Sequence, residues 1–207
     1  MKIIELKNIF KKYGKYTVLN DVNLYFENGL CYMIVGGNGS GKSTLIKIIL
    51  NLVKPNSGEL LISNLSFGYV PEKYTLAEYM TIYDFLIMMG LLRGINKDNL
   101  NYKIDELLKY WEIYDYRFKR MKELSKGMMQ KVVIIQALIH NPDVYIFDEA
   151  LNGLDPSMQE KLLSIINCEK KKGKLIIITS HYPKLYSKTV DRIITIENGK
   201  VKVDENY

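Results

Sequence analysis

Eight consecutive residues, Gly36-Gly37-Asn38-Gly39-Ser40-Gly41-Lys42-Ser43, leave little choice for the backbone around them. They satisfy the pattern G-x-x-x-x-G-K-S, in which glycines let the chain curl until several N–H groups point inward at an anion. Such a loop needs a buried strand before it and a helix after it, because the helix N-terminus adds the positive end of its dipole. Both flanks are present. Residues 30–35 are a continuous apolar run, as in a strand buried on both faces of a parallel sheet, and residues 45–52 carry apolar groups at helical spacing. The chain is therefore predicted to be α/β and to cradle phosphates with residues 36–41 and Thr44. Lys42 is expected to reach the β and γ phosphates, and the Ser43 hydroxyl to ligate Mg²⁺.

Two more apolar runs read as buried strands, residues 144–147 ending on Asp148-Glu149 and residues 175–179 ending on Ser180-His181. An apolar run followed by Asp-Glu is, taken alone, a common strand-to-turn boundary. Behind a phosphate loop it becomes a candidate catalytic pair. Successive strand side chains point to opposite sides, so Asp148 is expected to face Mg²⁺ while Glu149 polarises the water that attacks the γ phosphate. Earlier in the chain, Ile4, Leu6, Val18, Leu19, Val22, Leu24 and Phe26 sit between polar neighbours, the pattern of half-buried antiparallel strands, with turns at Gly14 and Asn28-Gly29. Residues 77–139 lack proline and carry apolar groups at three-to-four spacing, which predicts a helical insertion of about residues 73–139. Its last helix is expected over residues 130–139. Within it Tyr79, Met80, Tyr83, Phe85, Met88 and Met89 read as helical core, some of them lining a groove for a partner's helix.

Composition narrows the class. With 207 residues, 47% of them apolar, the chain suits one domain over residues 1–207. A net charge of +6 suits phosphate-bearing ligands or an anionic membrane surface, and equally an ordinary solvated surface. Two distant cysteines, Cys31 and Cys168, suggest neither a disulfide framework nor a zinc site. No apolar run approaches the roughly 20 residues needed to cross a bilayer. Glu5 sits where a secretory signal would carry its apolar stretch, so a cytoplasmic location is expected.

The phosphate loop and paired acids indicate a P-loop NTPase, and what lies between them resembles the ABC ATPase family. Leu124-Ser125-Lys126-Gly127-Met128 resembles the family's signature, usually LSGGQ, with Lys126 and Met128 replacing glycine and glutamine. Asn152-Gly153-Leu154-Asp155-Pro156 looks like its D-loop, Thr179-Ser180-His181 like its switch histidine, and Lys11-Lys12-Tyr13-Gly14 like the A-loop whose aromatic ring stacks on adenine. Glu72 stands where the family usually has the Q-loop glutamine, and Ala150 where it often has proline. The resemblance spans about residues 2–200.

It implies a mixed-sheet core, a small antiparallel β part and a helical subdomain carrying the signature. It further implies an ATPase subunit that powers transport through a separate transmembrane permease, peripheral on the inner face of the membrane. Two cassettes, identical or related, would sandwich ATP between Lys42, Ser43 and Asp148 of one and Ser125 and Gly127 of the other. Asp155 would link the two sites, His181 would contact the γ phosphate, and Glu72 would touch Mg²⁺ and tilt transport toward export. A soluble assembly scaffold of the iron-sulfur type is the alternative. Nucleic-acid roles in the family need coiled-coil insertions or a second cassette, so no nucleic-acid partner is expected.

Overall fold

Three apolar pentads explain the centre of the molecule. In the computed structural model, which describes residues 2–62, 64–74, 77–180 and 183–204, β3 (Cys31–Val35), β6 (Val144–Asp148) and β7 (Leu175–Thr179) form adjacent parallel strands in the order β6-β7-β3. Every residue of β6 and β7 is buried. That is why these strands carry no polar alternation: both faces of the sheet are covered. β5 (Phe67–Val70) adds a parallel strand beside β6, and β8 (Arg192–Glu197) adds one beside β3. β9 (Lys200–Asp204) closes the six-stranded sheet antiparallel to β8, which makes it mixed.

A second sheet lies across the first. β1 (Lys2–Tyr13), β2 (Tyr16–Glu27) and β4 (Ser57–Ile62) pair antiparallel in the order β2-β1-β4. Ile4, Leu6, Leu19, Val22, Leu24 and Phe26 are buried, as the alternation predicts, whereas Val18 is only half-buried and Ile3 is buried beside Ile4. They pack with Ile34, Val144, Ile146, Ile177 and α1 (Lys42–Ile49) in one core cluster, which holds the phosphate-loop helix between the two sheets.

The helical part comprises α2 (Ile82–Leu92), α3 (Lys97–Tyr110) and α4 (Lys126–Leu138). Thr81 caps α2 by accepting the Asp84 amide at 3.0 Å, and Asn96 caps α3 by accepting that of Asp98 at 3.2 Å. Trp111 is fully buried where these helices meet. The expected aromatic and methionine core is only partly internal: Phe85 is buried, Met80, Tyr83, Met88 and Met89 are half-buried, and Tyr79 is 76% exposed. Base composition cannot tell a buried tyrosine from one whose ring lies on the surface.

Two helix boundaries differ from the periodicity. α1 begins at Lys42, three residues before its first buried leucine, because its first turn faces the cavity described below and carries no apolar signal. α4 begins at Lys126, four residues before the expected start, with Ser125 as its N-cap. α4 then runs against β5, where the Gln136 side chain donates to the Tyr69 carbonyl at 2.7 Å. Gly68 makes that approach possible, since a Cβ there would come within 2.3 Å of the Ala137 carbonyl oxygen and 2.8 Å of Pro142. We expect Gly68→Ala to cost about 1–3 kcal/mol, read as a lower urea midpoint with an unchanged slope. An unaltered midpoint would mean that α4 and β5 are free to move apart.

Candidate functional site

Because β3, β5, β6 and β7 are parallel, the loops leaving their C-terminal ends gather at one edge of the sheet. Four segments meet there: residues 36–41 after β3, Pro71-Glu72 after β5, Glu149 after β6 and Ser180 after β7. A cavity of about 310 Å³ at this edge is lined by Tyr13, Val18, residues 38–44, Glu72, Asp148 and Glu149. Sheet topology thus brings together, from well-separated parts of the chain, most of the residues the sequence nominated.

The loop has the conformation its glycines allow. Gly39 and Gly41 take φ of 76° and 112°, and Gly36 takes 157°. A Cβ at Gly36 would lie 2.5 Å from the Ser40 hydroxyl and 2.6 Å from the Ile196 carbonyl, and one at Gly41 2.9 Å from the Val18 carbonyl. Side chains at these positions would push the loop off β2 and β8. The Lys42 ammonium folds over the loop, donating to the Gly36 carbonyl at 2.8 Å and the Gly37 carbonyl at 3.1 Å. The first turn of α1 contains no acidic residue, so the positive helix end faces the cavity uncompensated. The buried Ser40 hydroxyl has no hydrogen-bond partner among the described residues. Exposed loop amides, a helix N-terminus and an ammonium together suit a polyphosphate.

The two acids are separated by a backbone kink rather than by strand alternation. β6 includes Asp148, and Glu149 then takes φ 53°, a left-handed conformation uncommon for a residue with a side chain. Thr179, at the end of β7, ties both acids down. Its hydroxyl donates to Asp148 Oδ1 and accepts the Glu149 amide at 3.2 Å, and its carbonyl accepts that same amide at 3.2 Å. Tyr69 stands beside Asp148, and burial together with that carboxylate raises the Tyr69 phenol's proton affinity. Burial raises the Asp148 carboxyl above the ordinary carboxylate range, against the hydrogen bond from Thr179 and the nearby Lys42 charge, while Glu72 pushes it further up. A partly desolvated carboxylate with a second one and a serine hydroxyl close by is an all-oxygen donor set. It suits Mg²⁺, which is commonly bound by one or two carboxylates together with substrate phosphates. Among the described residues no group of three or more His, Cys, Asp or Glu is placed to hold a metal ion.

Glu149 is buried, and the Asn152 side-chain amide donates to its Oε2 at 3.2 Å. One residue on, the buried Gln130 amide donates to the Ala150 carbonyl at 2.9 Å, joining α4 to the segment behind the acids. Asn152 and Thr179 fall inside the motifs that resemble the D-loop and the switch histidine, but the sequence assigns neither a role of its own, and it marks Gln130 only as the start of a helix. Gln130→Leu removes the donor and leaves a buried carbonyl unmatched. We expect a loss of about 1–3 kcal/mol in unfolding free energy, measured by denaturant titration.

The other nominated residues are placed elsewhere. Tyr13 ends β1 at the cavity mouth, 47% exposed, with the Lys11 ammonium 5.0 Å from its ring centre. Ser125 and Gly127 lie outside the cavity. Ser125 accepts the Met128 amide at 3.3 Å as the cap of α4, and Gly127 packs so close to the Gly153 carbonyl that a Cβ would sit 3.1 Å from it. Asp155 also lies outside: it caps α5 (Pro156–Lys171), accepting from Ser157 at 2.8 Å and Met158 at 3.1 Å, and the Ser157 bond holds its carboxyl below the usual range. His181 falls outside the described residues. His140, not nominated, bonds through Nε2 to the Phe67 carbonyl at 3.0 Å, and burial lowers its basicity.

Comparison with known proteins decides the family. Residues 19–152 match the family model described as ABC transporter. The chain belongs to the ABC transporter ATP-binding family. An ABC transporter ATP-binding protein of Methanocaldococcus jannaschii is 34% identical over 197 residues, which is 95% of this cassette and 75% of that protein. A zinc import ATP-binding protein of Rickettsia conorii is 32% identical, covering 96% and 84% respectively. A lantibiotic transport ATP-binding protein of Streptococcus pyogenes is 31% identical, covering 99% and 91%. Among solved structures, a dimeric ATP-binding cassette in a post-hydrolysis state with ADP and Pi superposes with a TM-score of 0.89 at 26% identity, over 99% of each chain. The cassette binds ATP and is an ATPase, the ATP-binding subunit of an ABC transporter. No helix among the described residues is long and apolar enough to cross a membrane.

Proposed function

We propose that the cassette hydrolyses ATP between two protomers, each contributing half of a site, to drive export through a separate membrane-spanning permease. The observation that carries this reading is the single cavity in which the phosphate loop, Asp148, Glu149 and Glu72 face one another while Ser125 stays outside it. The loop amides and Lys42 bind the β and γ phosphates. Tyr13 stacks on adenine. Glu149, held by Asn152 and the Thr179-bonded amide, accepts a proton from the attacking water as the γ phosphoryl group departs. Ser43, Asp148 and Glu72 would hold Mg²⁺, whose chemistry is to neutralise charge on the phosphates.

A second cassette supplies Ser125 and Gly127 opposite the loop, and Asp155 lies beside that junction. His181 fixes the γ phosphate. Relatives are named for zinc import and, at 27% identity, for Nod factor export, so both directions are represented, and Glu72 in place of glutamine favours export. The permease docks in the groove of about 490 Å³ between core and helical part, lined by Tyr74, Phe85, Met89 and Val133. Purification from membranes in mild detergent tests the reading: the cassette should travel with a polytopic protein whose presence raises turnover. Recovery only in a membrane-free complex with soluble proteins would overturn it.

A further inference from the structure

Residues 78–81, just ahead of α2, meet residues 119–122 in a short antiparallel contact, a ribbon one bridge long. Thr81 pairs with Arg120, the Met121 amide donates to the Met80 carbonyl at 2.9 Å, and the Lys122 amide donates to the Glu78 carbonyl at 3.1 Å. Ile82 and Met121 are fully buried on the inner side. Tyr79 from one segment and Phe118, Arg120 and Lys122 from the other are exposed, with Thr81 and Tyr83 half-buried beside them. The side-chain contacts agree: Tyr83 meets Phe118 with ring centres 5.9 Å apart, and the Lys122 ammonium lies 5.2 Å from the Tyr79 ring centre.

This face is both aromatic and basic. Tyr79 is 76% and Phe118 65% exposed, unusually open for large rings. Arg117 stacks between Tyr114 at 4.0 Å and Phe118 at 4.6 Å, and Lys119 lies 4.9 Å from the Tyr116 ring centre. Residues 78–83 and 114–122 together hold four cations against two carboxylates, Glu78 and Asp115. The flanking carboxylates of Asp84 and Glu123 are engaged in local bonds, to the Thr81 hydroxyl at 2.6 Å and the Arg120 amide at 3.0 Å. None of these residues lines the groove assigned above to the permease.

We infer that this ribbon is a contact surface for an anionic lipid bilayer. Exposed tyrosine and phenylalanine rings settle at headgroup depth, and the adjacent cations are attracted to the negative surface. The attraction would orient the cassette beneath its permease and would act even without it. The inference does not depend on the direction of transport or on the roles of the cavity residues.

Flotation of the purified cassette with phosphatidylglycerol vesicles, and in parallel with phosphatidylcholine vesicles, tests it. Binding to the first alone is expected, weakening steeply as salt rises. Arg120→Gln with Lys122→Gln should lower vesicle affinity by roughly 30-fold, at about fivefold per cation lost. Tyr79→Ser with Phe118→Ser should also weaken it, with basal ATPase activity retained in both pairs. Equal binding by wild type and variants would overturn the proposal. So would binding that appears only in vesicles containing the permease, because the surface would then be a protein contact. A cassette that floats normally yet fails to travel with a polytopic protein would sink the transport reading and leave the lipid contact standing.

Discussion

Glu149→Gln is expected to bind ATP within a few-fold of wild type and to turn over 10²- to 10⁴-fold more slowly, the usual span for loss of a general base. The reasoning starts from position. Glu149 leaves β6 through a left-handed kink at φ 53°, and its amide is held at 3.2 Å by both the carbonyl and the hydroxyl of Thr179. Its carboxylate is buried and receives the Asn152 amide at 3.2 Å. A carboxylate placed this tightly at the rim of the phosphate cavity can take a proton from a water aligned with the γ phosphate. Glutamine keeps the size and loses the basicity. Asp148 does not take over the role, since its Oδ1 already accepts the Thr179 hydroxyl. Steady-state phosphate release together with nucleotide titration checks the prediction, and binding without turnover should let closed dimers accumulate on a sizing column. Near-normal phosphate release would remove Glu149 from the mechanism.

The parts of this design that were readable share a property: they repeat or cluster along the chain. β3, β6 and β7 announced themselves as unbroken apolar runs because both sheet faces are covered, and the eight-residue loop fixed the element on either side of it. Residues that act across the fold left no such mark. Thr179 is one more polar residue at a strand end until β7 sets it beside Asp148, and Gln130 is an ordinary helix position until α4 turns it toward the Ala150 carbonyl. Helix starts were misplaced for a related reason. Lys42 and Ser125 open α1 and α4 with residues chosen for the cavity and for capping, so apolar periodicity begins only a turn later. The kink at Glu149 was invisible as well, because its cause is the paired acceptor on β7 and not a glycine in the local sequence.

Lys42→Ala is expected to lower ATP affinity by roughly 10- to 100-fold, the equivalent of about 1.5–3 kcal/mol for a hydrogen bond to a charged group. In the structure the ammonium lies over the loop, 2.8 Å from the Gly36 carbonyl and 3.1 Å from the Gly37 carbonyl. It is therefore already folded over the loop, and little side-chain freedom would be lost on binding a triphosphate. The substitution removes the one cationic side chain among the described residues that line the cavity, where Asp148, Glu149 and Glu72 supply negative charge. A tetra-anionic ligand would then meet three carboxylates with only backbone amides and the α1 dipole to counter them. Lys42→Arg separates charge from shape: it keeps the charge, but the planar guanidinium is larger than the ammonium that the loop carbonyls enclose, so it should recover affinity only in part. Titration with a fluorescent ATP analogue distinguishes these outcomes, and a Lys42→Ala cassette that bound as tightly as wild type would mean that the loop amides hold the phosphates unaided.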